Sequence, residues 1–230
     1  PQAARTQFFF NDRDPESGRV FVVLYDIEKR KRIREYRDQE APIGNGGVAQ
    51  KGGAFLGLNY GRLARLRLVT GYPGALDWSK EHNAPRDDGI FVVDVKTGAR
   101  RLLVSYHQLA TGLKPRYPGV KDIALFINHT LWNRDGDRVY FFVRGNWDKR
   151  GAKINTPCSI HIDGSGLSLH DTHIGGHPEW AEGHLLIGRQ GNKQILYDVD
   201  KKKVVGQLGT PEIFPKPEGD VSLSPDGKWL

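Results

Sequence analysis

Methionine is absent from the 230 residues, and cysteine occurs once, at Cys158. A lone thiol rules out any disulfide within the chain and leaves the redox compartment open. No apolar run reaches the ~18 residues that a spanning helix requires, so no membrane span is expected. The first residues, PQAARTQFFF, carry neither a charged nor an apolar leader segment. With the missing methionine, this reads as a processed or truncated chain from which any signal peptide is already gone. There is also no P-loop, dinucleotide fingerprint, HExxH or GxSxG. GNGGVAQKGG (44–53) is glycine-rich, but no helix pattern follows it. It reads as a tight first strand rather than a phosphate cradle, and no organic cofactor is expected. Long amphipathic helices are lacking too: KPRYPGVKDIALF (114–126) holds two prolines and reads as a loop.

What is present is β-rich. RVFVVLYDI (19–27), AFLGLNY (54–60), GIFVVDV (89–95), RVYFFVRG (138–145) and QILYDVD (194–200) are short, β-branched or aromatic runs. Each is closed by a turn signal such as VKTGAR, RDGDR, DGSG or SPDGK. The segments also repeat. NHTLWNRDGDRVYFF, GHPEWAEGHLLIG and DVSLSPDGKWL align with spacings of 48 and 43 residues, counted from His129 to His177 to Asp220. Four-stranded propeller blades recur every ~40–45 residues. The expected architecture is therefore an all-β propeller of four-stranded antiparallel blades, about four of them, in a single domain spanning 1–230. QFFFND reads as the second strand of a blade without its first, and the last residues stop within another blade. The segment 69–88, which holds Tyr72, Trp78 and His82, is an irregular insertion expected to form a lid or wall over a pocket.

Lys and Arg total 34 against 27 for Asp and Glu, a net charge of +7. That balance favours anionic partners. The clusters EKRKRIREYR (28–37) and KKK (201–203) fall on an outer strand and a turn, where charge discourages edge-to-edge pairing. Nucleic acid is therefore not the expected partner; basic charge lining a pocket suits an acidic sugar.

In a propeller the first strand of each blade lines the axis. His129 and His177 stand at that position in adjacent blades, each followed three residues later by a tryptophan, Trp132 or Trp180. The histidines either face a central pocket or bond within the fold; the tryptophans suit packing between blades. Asn128 neighbours His129, and the next strand ends in Arg144, followed by Trp147. These form the candidate substrate-binding set. Tyr60 and Arg62 in LNYGRLARL end a second strand, either as a carboxylate anchor or as an edge arginine with its stem packed down. Around the DGSG turn, pairing Ile162 with Leu167 sets Cys158 opposite Asp171 and near His173. Cys158, His173 and His177 would then offer thiolate and imidazole donors to Zn²⁺; the alternative is surface histidines beside a buried thiol.

These motifs resemble the β-propeller polysaccharide lyases, the group that includes the oligogalacturonate and ulvan lyases. The likeness rests on NHTLWNRDGDRVYFFVRG, GGHPEW, GDVSLSPDGKW and LNYGRLARLR before GYPG; SPDGKW is also similar to the turns of TolB-like propellers. The resemblance implies seven blades, of which this chain holds part, and a secreted or periplasmic protein. It implies cleavage of a uronate-containing anionic polysaccharide, such as pectate or ulvan, by β-elimination. Arg144 or Arg62 would neutralise the uronate carboxylate, with His129 as base or acid. Tyr60 or Tyr72 would supply the other proton transfer, and His82 is a further acid/base candidate. His177 matches a metal-binding histidine of the oligogalacturonate enzymes, which implies a divalent ion: Zn, Mn or Ca. The rival expectation is a non-catalytic TolB- or WD-type propeller that binds a protein or peptide over the same face.

Overall fold

The computed structural model describes residues 6–147, 152–213, 215, 217 and 220–230. Strands β1 (Gln7–Arg13), β2 (Val20–Asp26) and β3 (Lys31–Tyr36) form a three-stranded antiparallel sheet. Three four-stranded sheets follow. The first holds β4 (Gly44–Val48), β5 (Ala54–Leu58), β6 (Gly89–Asp94) and β7 (Arg100–Ser105). The next holds β8 (Leu125–Trp132), β9 (Arg138–Gly145), β10 (Ile154–His161) and β11 (Ser168–Leu169). The last holds β12 (Gly175–Trp180), β13 (Leu185–Gln190), β14 (Lys193–Asp198) and β15 (Lys203–Gln207). Spatial order follows chain order in every sheet, which is the meander of a propeller blade. The first strands β4, β8 and β12 lie beside one another, and the sheets do not close into a ring.

Burial shows why these sequences become blades. β9 carries Val139, Phe141 and Val143 on one face and Tyr140 and Phe142 on the other, all buried. The first face packs with Leu56, Ile90 and Val104 of the preceding sheet. The second packs with Leu186, Ile195 and Tyr197 of the following sheet. A third cluster joins Val22 to Phe55, Phe91 and Val93 between the first two sheets. Each large apolar side chain buried in this way contributes roughly 1.5–3 kcal/mol. β3, by contrast, is exposed along its first half, and its Arg32 pairs with Asp12 and Glu35.

The tryptophans tie the inner strands together. Trp132 Nε1 donates to the Gly47 carbonyl of the preceding inner strand at 3.0 Å. Trp180 Nε1 donates to the Leu131 carbonyl at the same distance. The polar turns are locked in a shared way: Asn133 Oδ1 accepts from the backbone N–H of Gly136, Asp137 and Arg138. In SPDGKW, Ser224 Oγ accepts from the N–H of Lys228 and Trp229.

Two local expectations are corrected. Tyr60 and Arg62 do not end a strand; they open helix α1 (Tyr60–Leu66), whose first turn is capped by the Asn59 side chain accepting from Arg62 N–H. A second helix, α2 (Tyr106–Leu113), starts at a Ser105/Gln108 capping box. The β10–β11 hairpin pairs Cys158 with Leu169, two residues short of Asp171. His161 N–H bonds to the Ser165 carbonyl, and Gly164 and Gly166 take left-handed conformations that tighten the turn.

Candidate functional site

Each inner strand breaks its ladder near the middle. Register shifts fall between Asn45 and Gly47, between Asn128 and Leu131, and between Gly175 and Glu179. Bulges of this type re-aim a side chain. In two of them the re-aimed residue is histidine in the left-handed region, His129 at φ 53° and His177 at φ 47°. That conformation costs a non-glycine residue about 1–2 kcal/mol and concentrates at functional sites.

The two imidazoles meet, with ring centroids 4.7 Å apart and planes inclined by 30°. They line a cavity of about 390 Å³ together with Phe142, Arg144, His173, Arg189 and Asp220. His177 Nδ1 is hydrogen-bonded to the Asp220 carboxylate, which leaves Nε2 as the nitrogen available to a ligand. His129 is half-buried against the edge of Phe142. Burial first, then Arg144, His177 and Arg67, lower its pKa to about 4, so it is a neutral base at pH 7. Arg144 projects from the end of β9 and is held by Nε donating to Asn155 Oδ1 at 2.8 Å. Its guanidinium lies 4.9 Å from the Phe142 ring centre and 4.7 Å from that of Trp147. Burial and Arg67 bring its pKa down to about 10, so it remains a cation at neutral pH.

The structure therefore brings His129, His177, His173 and Arg144 into one cavity and leaves other candidates outside it. Arg62 is fully buried. Its guanidinium donates to the carbonyls of Leu125, Ser79, His82 and Asn83 and to Ser79 Oγ, above the ring of Tyr106. It has no reach to a substrate. Tyr60 donates its hydroxyl to the Asn45 carbonyl, stacks on Tyr72, and has its pKa raised to about 12, chiefly by burial. Tyr72 accepts from Asn11 Nδ2. Both tyrosines sit beside the β4 bulge and do not line the cavity. His82 exposes its side chain at the surface. The insertion 69–88 is no lid over the cavity. Its Asp77, Ser79 and Asp88 are buried around the Asn59 amide, which pins it to α1. Asn128 is buried behind His129, and its amide has no partner among the described residues.

The expected Cys158, His173 and His177 metal set does not assemble. Cys158 lies in the core between the second and third sheets, with its thiol pKa raised to about 12 by burial, whereas the two histidines face the cavity. Among the described residues, three metal-type donor atoms come within 4.8 Å of one another at His184, Asp198 and Asp200. That cluster has the chemistry to hold a metal ion, but Lys201 and Arg138 already neutralise its carboxylates.

Arg189 and Asp220 complete the cavity. Arg189 had a signal in the sequence: FFVRG and LLIGRQ both end a second strand on arginine.

No family model matches the chain, and no curated protein does. Among solved structures, the chain is similar to an acylaminoacyl peptidase in complex with Z-Gly-Gly-Phe-chloromethyl ketone. Identity is 11% and the TM-score 0.49, over 91% of this chain and 32% of that one. For Pyrococcus horikoshii acylaminoacyl peptidase the values are 10% and 0.48, over 89% and 30%. For Kuenenia stuttgartiensis hydrazine synthase they are 12% and 0.49, over 96% and 63%. The chain spans only part of each. These likenesses carry no inference about activity.

Proposed function

We propose that the cavity binds a uronate-containing anionic polysaccharide and cleaves it by β-elimination. The observation that carries this reading is His129, neutral at pH 7, beside the cation of Arg144 in one cavity. Elimination makes three demands: charge stabilisation at the C5 carboxylate, removal of the C5 proton, and a proton for the departing O4. Arg144 offers a planar fork to the carboxylate, which favours the enolate-like transition state. His129 takes the C5 proton. The C4–O4 bond then breaks as the C4–C5 double bond forms, and the proton that His129 has taken passes to O4, with His177 held beside it by the Asp220 carboxylate. Among the described residues, the cavity's histidines and Asp220 do not form a group of three donors within 4.8 Å of one another, and Arg144 takes the neutralising role.

The test is ultraviolet absorbance of the unsaturated product with pectate, ulvan and a glycosaminoglycan. His129→Ala is expected to cut turnover by about 10²-fold or more. Arg144→Lys, which loses the fork but keeps the charge, should be nearly as harmful. Product formation unaffected by either change refutes the assignment of roles. No product from any acidic polymer leaves the non-catalytic scaffold that binds a protein or peptide partner.

A further inference from the structure

Several arginines of this chain meet carboxylates. Arg65 meets Asp77, Arg100 meets Asp38, Arg116 meets Asp171 and Arg138 meets Asp200. Arg67 and Arg144, near the cavity, meet none among the described residues. Arg67, at the C-terminal end of α1, places its guanidinium carbon 4.9 Å from the ring centre of Trp147. Arg144 approaches the same ring to 4.7 Å, and Lys153 Nζ to 5.4 Å. The two guanidinium groups thus stand no farther apart than about 10 Å, the Debye length at 0.1 M salt. None of the three cations forms an ion pair among the described residues, and Arg67 Nε is buried without any hydrogen-bond partner. Arg144 commits only its Nε, to Asn155. Arg67 is also one cause of the lowered Arg144 pKa, so the cations act on each other.

Trp147 lines a second, smaller opening of about 130 Å³ with Arg65, Leu66 and Asn146, whose one acidic lining residue is Asp122. Arg144 lines the first cavity and touches Trp147, which lines the second, although the two openings have no lining residue in common. A group of like charges gathered on an aromatic ring is stabilised by an oxyanion among them.

We infer that Arg67, Arg144 and Lys153, braced on Trp147, form a second anion-binding site next to the His129 cavity. The ligand therefore carries at least two acidic groups, and the protein reads a polyanion rather than a single acid. The identity of those groups as uronates rests on the proposed function; their number does not.

The test is titration of the full chain with monogalacturonate, trigalacturonate and inorganic sulfate, followed by calorimetry and by tryptophan fluorescence against a Trp147→Phe control. The trimer is expected to bind about tenfold or more tightly than the monomer. Arg67→Gln should abolish most of that advantage while changing monomer affinity far less. Arg67→Lys, which keeps the charge without the planar stack, should fall between; it also serves if the glutamine variant is unstable. Equal binding of monomer and trimer, or a full trimer advantage in both variants, overturns the inference with uronate recognition intact. If neither uronate binds, a sulfate response that needs Arg67 keeps the second site and removes the uronate reading. Absence of that response as well overturns both.

Discussion

Acidification should unfold this protein through a histidine that takes no part in the cavity. His170 is almost fully buried between two blades. Its Nε2 shares a hydrogen bond with Ser159 Oγ at 2.9 Å and its Nδ1 one with the Tyr197 hydroxyl at 3.0 Å. Burial, followed by Lys202 and Arg116, lowers its pKa from 6.5 to about 4. Between those values the unfolded chain binds more protons than the folded one, so stability rises with pH there and is lost as pH falls. Each pKa unit is worth about 1.4 kcal/mol, so the loss from pH ~6.5 to ~4 is about 3 kcal/mol at most. His129 titrates across the same window and adds a smaller, partly solvent-screened share. Urea unfolding at pH ~7, ~5.5 and ~4 measures the slope. His170→Gln, which keeps hydrogen-bonding capacity without the titration, should flatten it by about half. Equal slopes for the two proteins would refute the assignment.

Two further outcomes follow from the packing. Trp180→Phe removes the N–H donated to the Leu131 carbonyl and should cost about 1 kcal/mol in urea unfolding, whereas Trp180→Ala should cost about 3–5 kcal/mol. A Phe variant as damaging as Ala would show that the indole nitrogen, not the ring, holds the blades together. Cys158 is fully buried with its thiol pKa raised to about 12 by burial. It should resist a thiol-specific disulfide reagent in the native protein and react at once in urea; fast native labelling would place it at the surface.

Much of the architecture was legible because strand periodicity and turn chemistry are local. GIFVVDVKTGARRLL and QILYDVDKKKVV announce hairpins without help from the rest of the chain. The pairing of His129 with His177 was legible for another reason: repetition places matching positions side by side around an axis. The misses lie where tertiary contacts decide. α1 spans seven residues and α2 eight, too short for a helical stripe to stand out, although the Ser105/Gln108 spacing marked the start of the second. Nothing near Arg62 in the chain shows that Ser79, His82, Asn83 and Leu125 surround it. The β10–β11 register slipped by two because left-handed Gly164 and Gly166 tighten the turn. That slip exchanged the partner of Cys158 and kept its facing side, which is turned away from the histidines.

The interrupted ladder of each inner strand separates chemistry from folding. Pairing resumes beyond each break, so the residues within it stand outside the ladder. Gly46 lies in the break of one blade, and His129 and His177 lie in those of the next two. Replacing His129 or His177 alters what the axis offers a ligand without removing a ladder pair, whereas a Cβ at Gly46 would press on Leu58 and Thr130. The same scaffold can thus be given a different reactivity one position at a time.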